Sequence, residues 1–306
     1  MRTAAVIGGG IMGGDIAVLL AAAGWGVHVM SPSAATRAGL PARIAAALAR
    51  LGADQAAGAR VRTHAALADL PWPDVALVIE AVPEDLPLKQ RVFAELGALA
   101  RPDVVLATNT STFPIGEVGR DVAEGRSRVV GLHFFMPAHL VPLVEVVSAD
   151  ATDPAVAARL IAWMKEAGKE PIHVTRDVPG FVGNRIQHAM MREALWLIEN
   201  GVTTAEGVDT AVRFGFGFRF IACGPMMQKE MSGWDTNVLA ARALYPHLHT
   251  EPAPPPFIQE MVERGEIGMK AKRGLWSWTP EEIAAEKARI ERALQAGMAI
   301  LAPDGG

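Results

Sequence analysis

The sequence predicts an α/β chain in which a doubly wound sheet domain is followed by a smaller, all-helical domain. Three observations carry this reading. Short Val/Ile/Leu/Ala runs alternate with helical patterns through the first half; most of those runs are continuously apolar; and the strand–helix rhythm stops after Asp177. Strands buried on both faces of a parallel sheet show unbroken apolar runs, whereas half-exposed strands alternate in polarity. Regular strand–helix alternation gives a sheet covered by helices on both sides.

The expected strands are Ala4–Ile7, Val27–Met30, Ala76–Ile79, Val104–Ala107, Val129–His133 and Leu143–Val147. A further strand, Pro171–Val174, follows a helix over Pro154–Ala167. Val178-Pro179-Gly180 then reads as a joint. A long helix is expected over Phe181–Glu199, stopped by Asn200-Gly201. Several more helices follow, broken by a proline-rich loop at Pro252–Pro256, and no internal repeat occurs at solenoid spacing. The expected domains are therefore 1–178 and 179–306.

Composition narrows the function classes. The chain has 306 residues, is 50% hydrophobic and carries a formal net charge of −4. Two domains with real cores fit that length. The near-balance of charge argues against nucleic acid as the main partner, because phosphate binding needs a basic face. The one cysteine, Cys223, cannot form an internal disulfide, so a cytoplasmic setting is expected, with Cys223 as a small buried residue. The apolar N-terminus is dense in glycine and interrupted by Asp15, which argues against a signal peptide. No run long enough to span a membrane is present. The eight histidines show no paired ligand spacing beyond His247 and His249, so no metal site is expected. Trp276 and Trp278 are expected to pack.

The first chemical motif lies at Ala4–Ile16, AAVIGGGIMGGDI, where Gly8, Gly10 and Gly13 form G-x-G-x-x-G between a strand and a helix. Such glycines make a tight turn, let backbone approach a pyrophosphate, and bring helix against strand. The helix behind them, opening at Ile11 and Met12, offers unpaired N–H groups and a positive dipole end to phosphate. This is the signature of a Rossmann-type dinucleotide domain. In such domains the second strand ends in an acid that binds the adenosine ribose; here Ser31 follows Met30. A hydroxyl there does not repel a 2′-phosphate, and Ser33, Thr36 and Arg37 lie just beyond. NADP is thus open as well as NAD; equally, Arg37 is read as a solvated helix residue while NAD binds without the acid.

Three later segments hold the candidate chemistry: Asn109-Thr110-Ser111-Thr112, His133–Val147 (HFFMPAHLVPLVEVV) and Asp177–Arg185 (DVPGFVGNR). Oxidising an alcohol needs a base for the hydroxyl proton, and histidine titrates near working pH. A carboxylate on its other nitrogen stabilises the imidazolium. His133 closes one strand and Glu145 lies in the next, while Ser111 and Asn184 are candidates to hold the substrate oxygen. Each has a plainer reading taken alone: a structural histidine, half of a core ion pair, a cap.

These segments together resemble the 3-hydroxyacyl-CoA dehydrogenase family along nearly the whole chain. IGGGIMGGDIA, IEAVPED, NTST, GLHFFMP, LVEVV and DVPGFVGNR match its motifs in order. The resemblance implies His133 as base, Glu145 as its partner, Ser111 and Asn184 at the substrate oxygen, and Glu84, Lys89 and Asn109 near the cofactor. It also implies a helical C-terminal domain that dimerises. Five departures stand out. Met136 replaces the family's Asn in HFFNP, and Pro142 replaces the Lys before LVEV. The segment from Ser31 to Glu80 is short and free of lysine, where members acting on CoA thioesters carry a lysine-bearing arm. Gly215–Pro225, GFGFRFIACGP, has the longer Arg-containing form of relatives that act on free acids: gulonate-, carnitine- and pyridine-carboxylate-type dehydrogenases. Met226–Thr236 departs from the family's acidic version. The expectation is a nicotinamide-dependent dehydrogenase of a small 3-hydroxy acid, with Arg219 at the substrate carboxylate. The alternatives are a CoA-thioester dehydrogenase and a non-catalytic, crystallin-like dinucleotide binder. The separate β-hydroxyacid dehydrogenases use a lysine base in G-x-x-G-x-x-x-K, and Gly180–Asn200 contains no lysine.

Overall fold

The computed structural model describes residues 1–301, which divide by their contacts into two compact units, Met1–Arg185 and Ile186 onward. The first unit is built on an eight-stranded sheet of order β3-β2-β1-β4-β5-β6-β7-β8. Its strands are β1 (Thr3–Ile7), β2 (Gly26–Met30), β3 (Val61–His64), β4 (Val75–Glu80), β5 (Val105–Thr108), β6 (Val129–Phe134), β7 (Leu143–Val147) and β8 (Glu170–Val174). The chain winds outward one way through β1–β3 and the other way from β4. The switch point falls between β1 and β4, where open α/β sheets form their ligand crevice.

Five helices accompany this sheet: α1 (Ile11–Ala22), α2 (Ala34–Leu51), α3 (Leu86–Leu99), α4 (Ile115–Val118) and α5 (Pro154–Glu166). Their starts are written in the local sequence. Ser33, Asp85 and Asp153 cap α2, α3 and α5 by accepting backbone N–H groups, and a proline opens both α3 and α5. The core lies in two layers. Ile16, Leu20, Leu40, Leu48 and Leu160 pack one face of the sheet, and Phe93, Leu96, Ile115 and Val118 the other. Burying each such side chain contributes roughly 1.5–3 kcal/mol.

All strand pairs are parallel except β6–β7. The short link between β6 and β7 leaves no room for a helical crossover, so β7 must return antiparallel. That reversal sets His133 directly opposite Glu145. Strand β3 has no counterpart among the expected strands. VRTH is an edge strand with no buried residue, so it lacks the apolar run that betrays an interior strand.

The long helix α6 (Gly183–Glu199) begins in the first unit and continues in the second. It stops where expected: Gly201 turns left-handed (φ 66°), and the N–H groups of Gly201 and Val202 reach back to the Ile198 and Leu197 carbonyls. The second unit adds α7 (Ala205–Ala211), α8 (Gly217–Arg219), α9 (Pro225–Ser232), α10 (Trp234–Leu244), α11 (Pro256–Glu263) and α12 (Pro280–Leu301). Among its described residues only Ala194 is buried, whereas Phe214, Phe218 and Met231 are 72%, 67% and 78% exposed. Among the described residues no helix is long and apolar enough to cross a membrane.

Candidate active site

The glycine turn fits a dinucleotide on steric grounds. Gly8 is left-handed (φ 112°), and a Cβ there would lie 2.5 Å from the Ala81 carbonyl oxygen. A Cβ on Gly13 would lie 1.8 Å from the Gly8 carbonyl oxygen, so these two glycines close the turn against neighbouring backbone. Beside Gly10 there is open space, the approach a pyrophosphate needs. Gly10 also begins α1 without a side-chain cap, which leaves the N–H groups of the first turn, from Ile11 and Met12 on, for an anion. Arg43 of α2, which the sequence reading passed over, donates to the carbonyls of Gly9 and Gly10 at 3.2 Å. An arginine in a helix looks solvated in one dimension; only packing of α2 on α1 brings it to the turn.

Ser31 is buried at the end of β2, next to Gly9, and its N–H donates to His64. Arg37 folds back onto the carbonyls of Ser31 and Pro32 at 2.6 and 2.9 Å. The guanidinium is thus engaged by the turn itself.

Beyond β4 the chain spends charge on building a loop. Glu80 is fully buried and accepts from Lys89 Nζ (2.9 Å), the Thr108 hydroxyl (2.7 Å) and the Val82 N–H (2.7 Å). Lys89, 1% exposed, also reaches Glu84 at 3.1 Å, so its ammonium braces two carboxylates and is turned inward. Removing one partner of such a buried pair costs about 3–5 kcal/mol. Glu84 in turn gathers the N-T-S-T loop, accepting from the Thr110 and Thr112 hydroxyls and from the N–H groups of Ser111 and Thr112. Burial works against its charge, but the Thr110 hydroxyl, Lys89 and the Thr112 hydroxyl outweigh that and hold its carboxyl below the usual range. Asn109 ties the ends of two strands: its N–H donates to Glu80 and its side-chain oxygen accepts from the Phe134 N–H. Glu80 itself escaped the sequence reading. The available signal was an acid ending an otherwise apolar strand.

The residues of the candidate pair meet as their register requires. His133 Nδ1 lies 2.7 Å from Glu145 Oε2, and His133 Nε2 lies 3.0 Å from Ser111 Oγ. His133 is 3% and Glu145 0% exposed. The other carboxylate oxygen accepts two backbone N–H groups, from Val182 (2.9 Å) and Gly183 (2.8 Å). Burial alone would raise the Glu145 carboxyl; the bonds from His133, Gly183 and Val182 overcome it and lower it below its ordinary value. An ionised carboxylate only accepts, so the ring proton belongs on Nδ1. Nε2 is then a bare lone pair, and the Ser111 hydroxyl donates to it. That arrangement can take a proton from an alcohol and stabilise the resulting imidazolium. Phe135 and Phe181 pack on the imidazole, with ring centroids 4.7 and 5.6 Å away. Asn184 turns its amide toward the Ser111 carbonyl at 3.4 Å. Met136, in place of the family's Asn, is exposed just past β6.

In the second unit Arg219 lines a cavity of about 570 Å³ with Phe218, Ile221, Cys223, Gln228 and Met231. Cys223 is only partly buried, contrary to the expectation of a buried residue. Trp276, expected to pack, is instead 37% exposed, and its indole N–H donates to Glu206 at 2.7 Å. Among the described residues no cluster of three His, Cys, Asp or Glu side chains could hold a metal.

Sheet order, switch point and glycine turn place the chain in the class of dinucleotide-binding α/β enzymes. Comparison with known proteins makes this specific. Residues 3–178 match the model of the 3-hydroxyacyl-CoA dehydrogenase NAD binding domain, and residues 180–278 match the C-terminal domain of the same family. A 5-formyl-3-hydroxy-2-methylpyridine 4-carboxylate 5-dehydrogenase of Mesorhizobium japonicum is 34% identical over 225 residues, spanning 74% of this chain and 72% of its own. A solved 5-formyl-3-hydroxy-2-methylpyridine 4-carboxylic acid 5-dehydrogenase, an NAD+-dependent dismutase, is 30% identical and superposes with a TM-score of 0.93 over 100% of both chains. A solved (S)-3-hydroxybutyryl-CoA dehydrogenase from Ralstonia eutropha, also 30% identical, gives 0.73 over 91% of this chain and 99% of its own. The chain belongs to the 3-hydroxyacyl-CoA dehydrogenase family and is an NAD-dependent dehydrogenase acting on a CH–OH group.

Proposed function

We propose that this dehydrogenase oxidises the hydroxyl of a small free carboxylic acid, with His133 as general base and Glu145 as its partner. The observation that carries the reading is the continuous relay from Ser111 Oγ through His133 to Glu145, at 3.0 and 2.7 Å. Ser111 holds the substrate oxygen beside Nε2, and Asn184 steadies it from the start of α6. Nε2 takes the hydroxyl proton, and the positive charge formed on the ring is balanced by Glu145, already held ionised. NAD, when bound, supplies the hydride acceptor. Gly8, Gly10, Gly13, Ile11 and Met12 make its pyrophosphate seat and Ser31 borders its ribose. Glu84, Lys89 and Asn109 would stand near the cofactor. Residues 1–178 serve the dinucleotide; those from 179 on serve the substrate and the dimer.

The free-acid reading rests on two supports. At equal identity the backbone follows a pyridine-carboxylate dehydrogenase at 0.93 and a CoA-thioester dehydrogenase at 0.73. The Arg219 carbonyl accepts from the N–H groups of Ala222 and Cys223, whereas its guanidinium has no hydrogen-bond or ion-pair partner among the described residues, which leaves a planar cation for a carboxylate. The helical unit is the surface for a homodimer. With almost no buried residue of its own, it leaves Phe214, Phe218, Met231 and Leu239 in water, and a second copy would cover them.

The test is His133→Ala. Turnover should fall by about 100-fold or more, the usual scale for a lost general base, with NAD affinity close to wild type and a melting temperature lowered by the loss of the buried partner of Glu145. Turnover within a few-fold of wild type would sink the assignment.

A further inference from the structure

The second oxygen of Glu145 points to a device that lies outside the relay itself. Oε1 faces away from His133 and meets two backbone N–H groups, those of Val182 and Gly183, at 2.9 and 2.8 Å. Both stand at the N-terminal end of α6, a helix of 17 residues, where unpaired N–H groups and the helix dipole favour an anion. Two further features hold this turn in place. Phe181 has a left-handed backbone (φ 51°), uncommon for a bulky residue, while its ring is 1% exposed. Gly183 has no room for a side chain: a Cβ there would lie 2.5 Å from Phe135 Cζ, and Phe135 packs on the His133 ring.

We propose that the Phe181–Gly183 turn is a cradle for the Glu145 carboxylate, and that Gly183 is a positioning residue setting the basicity of the His133–Glu145 pair. The inference rests on the catalytic reading of that pair. Glu145 has few other partners to do this. From β6 the ionisable group facing it is His133, β8 presents Ile172 opposite it, and Arg185 on α6 is turned to the Pro179 carbonyl at 3.2 Å. Two N–H donors on Oε1 draw charge toward that oxygen and keep Oε2 turned to the Nδ1 proton. Shift the turn and the carboxylate loses two neutral N–H donors that stabilise its charge; the pair then binds a proton more tightly.

The steric observation supplies the experiment. Gly183→Ala pushes a methyl against the Phe135 ring and moves the 182–183 N–H groups off Oε1. The enzyme variant should lose about tenfold in turnover, the scale of one charge-assisted hydrogen bond. The acid limb of its kcat/KM profile for alcohol oxidation should move to higher pH by about one unit, while the Kd for NAD stays within twofold of wild type. In a Phe135→Leu background, where the ring is gone, the same Gly183→Ala change should cost less than about threefold relative to that parent. An unchanged acid limb, full activity in Gly183→Ala, or a loss undiminished in the Phe135→Leu background would each overturn the cradle. His133→Ala separates the two levels. If it too is active, the catalytic reading fails; if it is inactive while Gly183→Ala behaves as wild type, only the cradle fails.

Discussion

Replacing Glu145 by Gln removes one charge at nearly constant volume, and the structure says how the new side chain must sit. With its oxygen on the Val182 and Gly183 side, the amide keeps both backbone bonds and sets its NH₂ against His133 Nδ1. Flipped, it would set the NH₂ against two N–H donors. One clash, relieved by moving a proton on the ring, is cheaper than two that cannot be relieved. The ring proton therefore shifts to Nε2, the nitrogen facing Ser111, and the lone pair that serves as base is lost. A lost general base costs about 10²-fold at least, and the wrong histidine tautomer beside an amide has cost about 10⁴-fold in a catalytic triad. Turnover should fall within that range, roughly 3–5 kcal/mol of barrier. The assay is NADH absorbance during alcohol oxidation, at saturating NAD, across pH. Stability offers a second readout. The wild-type carboxyl is held below its ordinary range, so its contribution is present near neutrality and is lost as pH falls through the lowered folded value. The amide should flatten that acid-side loss. Turnover within threefold of wild type would refute the tautomer argument.

Three further outcomes follow from other parts of the molecule. Lys169 is buried against the Ala138 and Val141 carbonyls at 2.6 and 2.7 Å, and burial lowers it from 10.5 to about 8. Between those values the unfolded chain binds more protons than the folded one, so denaturant midpoints should rise from about pH 8 toward 10.5, and Lys169→Met should abolish that rise. Arg219→Met should raise KM for free hydroxy acids about tenfold, one charged contact's worth, with NAD affinity and melting temperature unchanged; a joint loss of acid affinity, NAD affinity and melting temperature would make Arg219 structural. Efficient oxidation of 3-hydroxybutyryl-CoA with no free acid accepted would refute the substrate class. Ser31→Asp should raise the NAD-over-NADP ratio of kcat/KM, because a carboxylate binds the ribose diol and repels a 2′-phosphate; an unchanged ratio would put Ser31 away from the ribose.

Much was readable in one dimension because some constraints are local. An apolar run before G-x-G-x-x-G, the caps Ser33, Asp85 and Asp153 before α2, α3 and α5, and a glycine after α6 act within a few residues of themselves. The antiparallel return of β7 is local too, since the short stretch from Phe135 to Pro142 cannot carry a crossover. With that return, the twelve-residue step from His133 to Glu145 becomes a cross-strand pair. What stayed hidden depended on partners far along the chain. Arg43 and Glu80 look like ordinary charged residues until packing spends one on the backbone of the glycine turn and the other on Lys89. Edge strand β3 hides because an edge needs no apolar run. Thus the sequence by itself determined the fold class, the dinucleotide turn and the identities of the candidate acid, base and hydroxyl. Only the tertiary structure decided which oxygen of Glu145 faces the base, which nitrogen of His133 is left bare, and which backbone N–H groups hold the charge. Those are questions of direction, and a side chain's direction is set by the groups that fold around it.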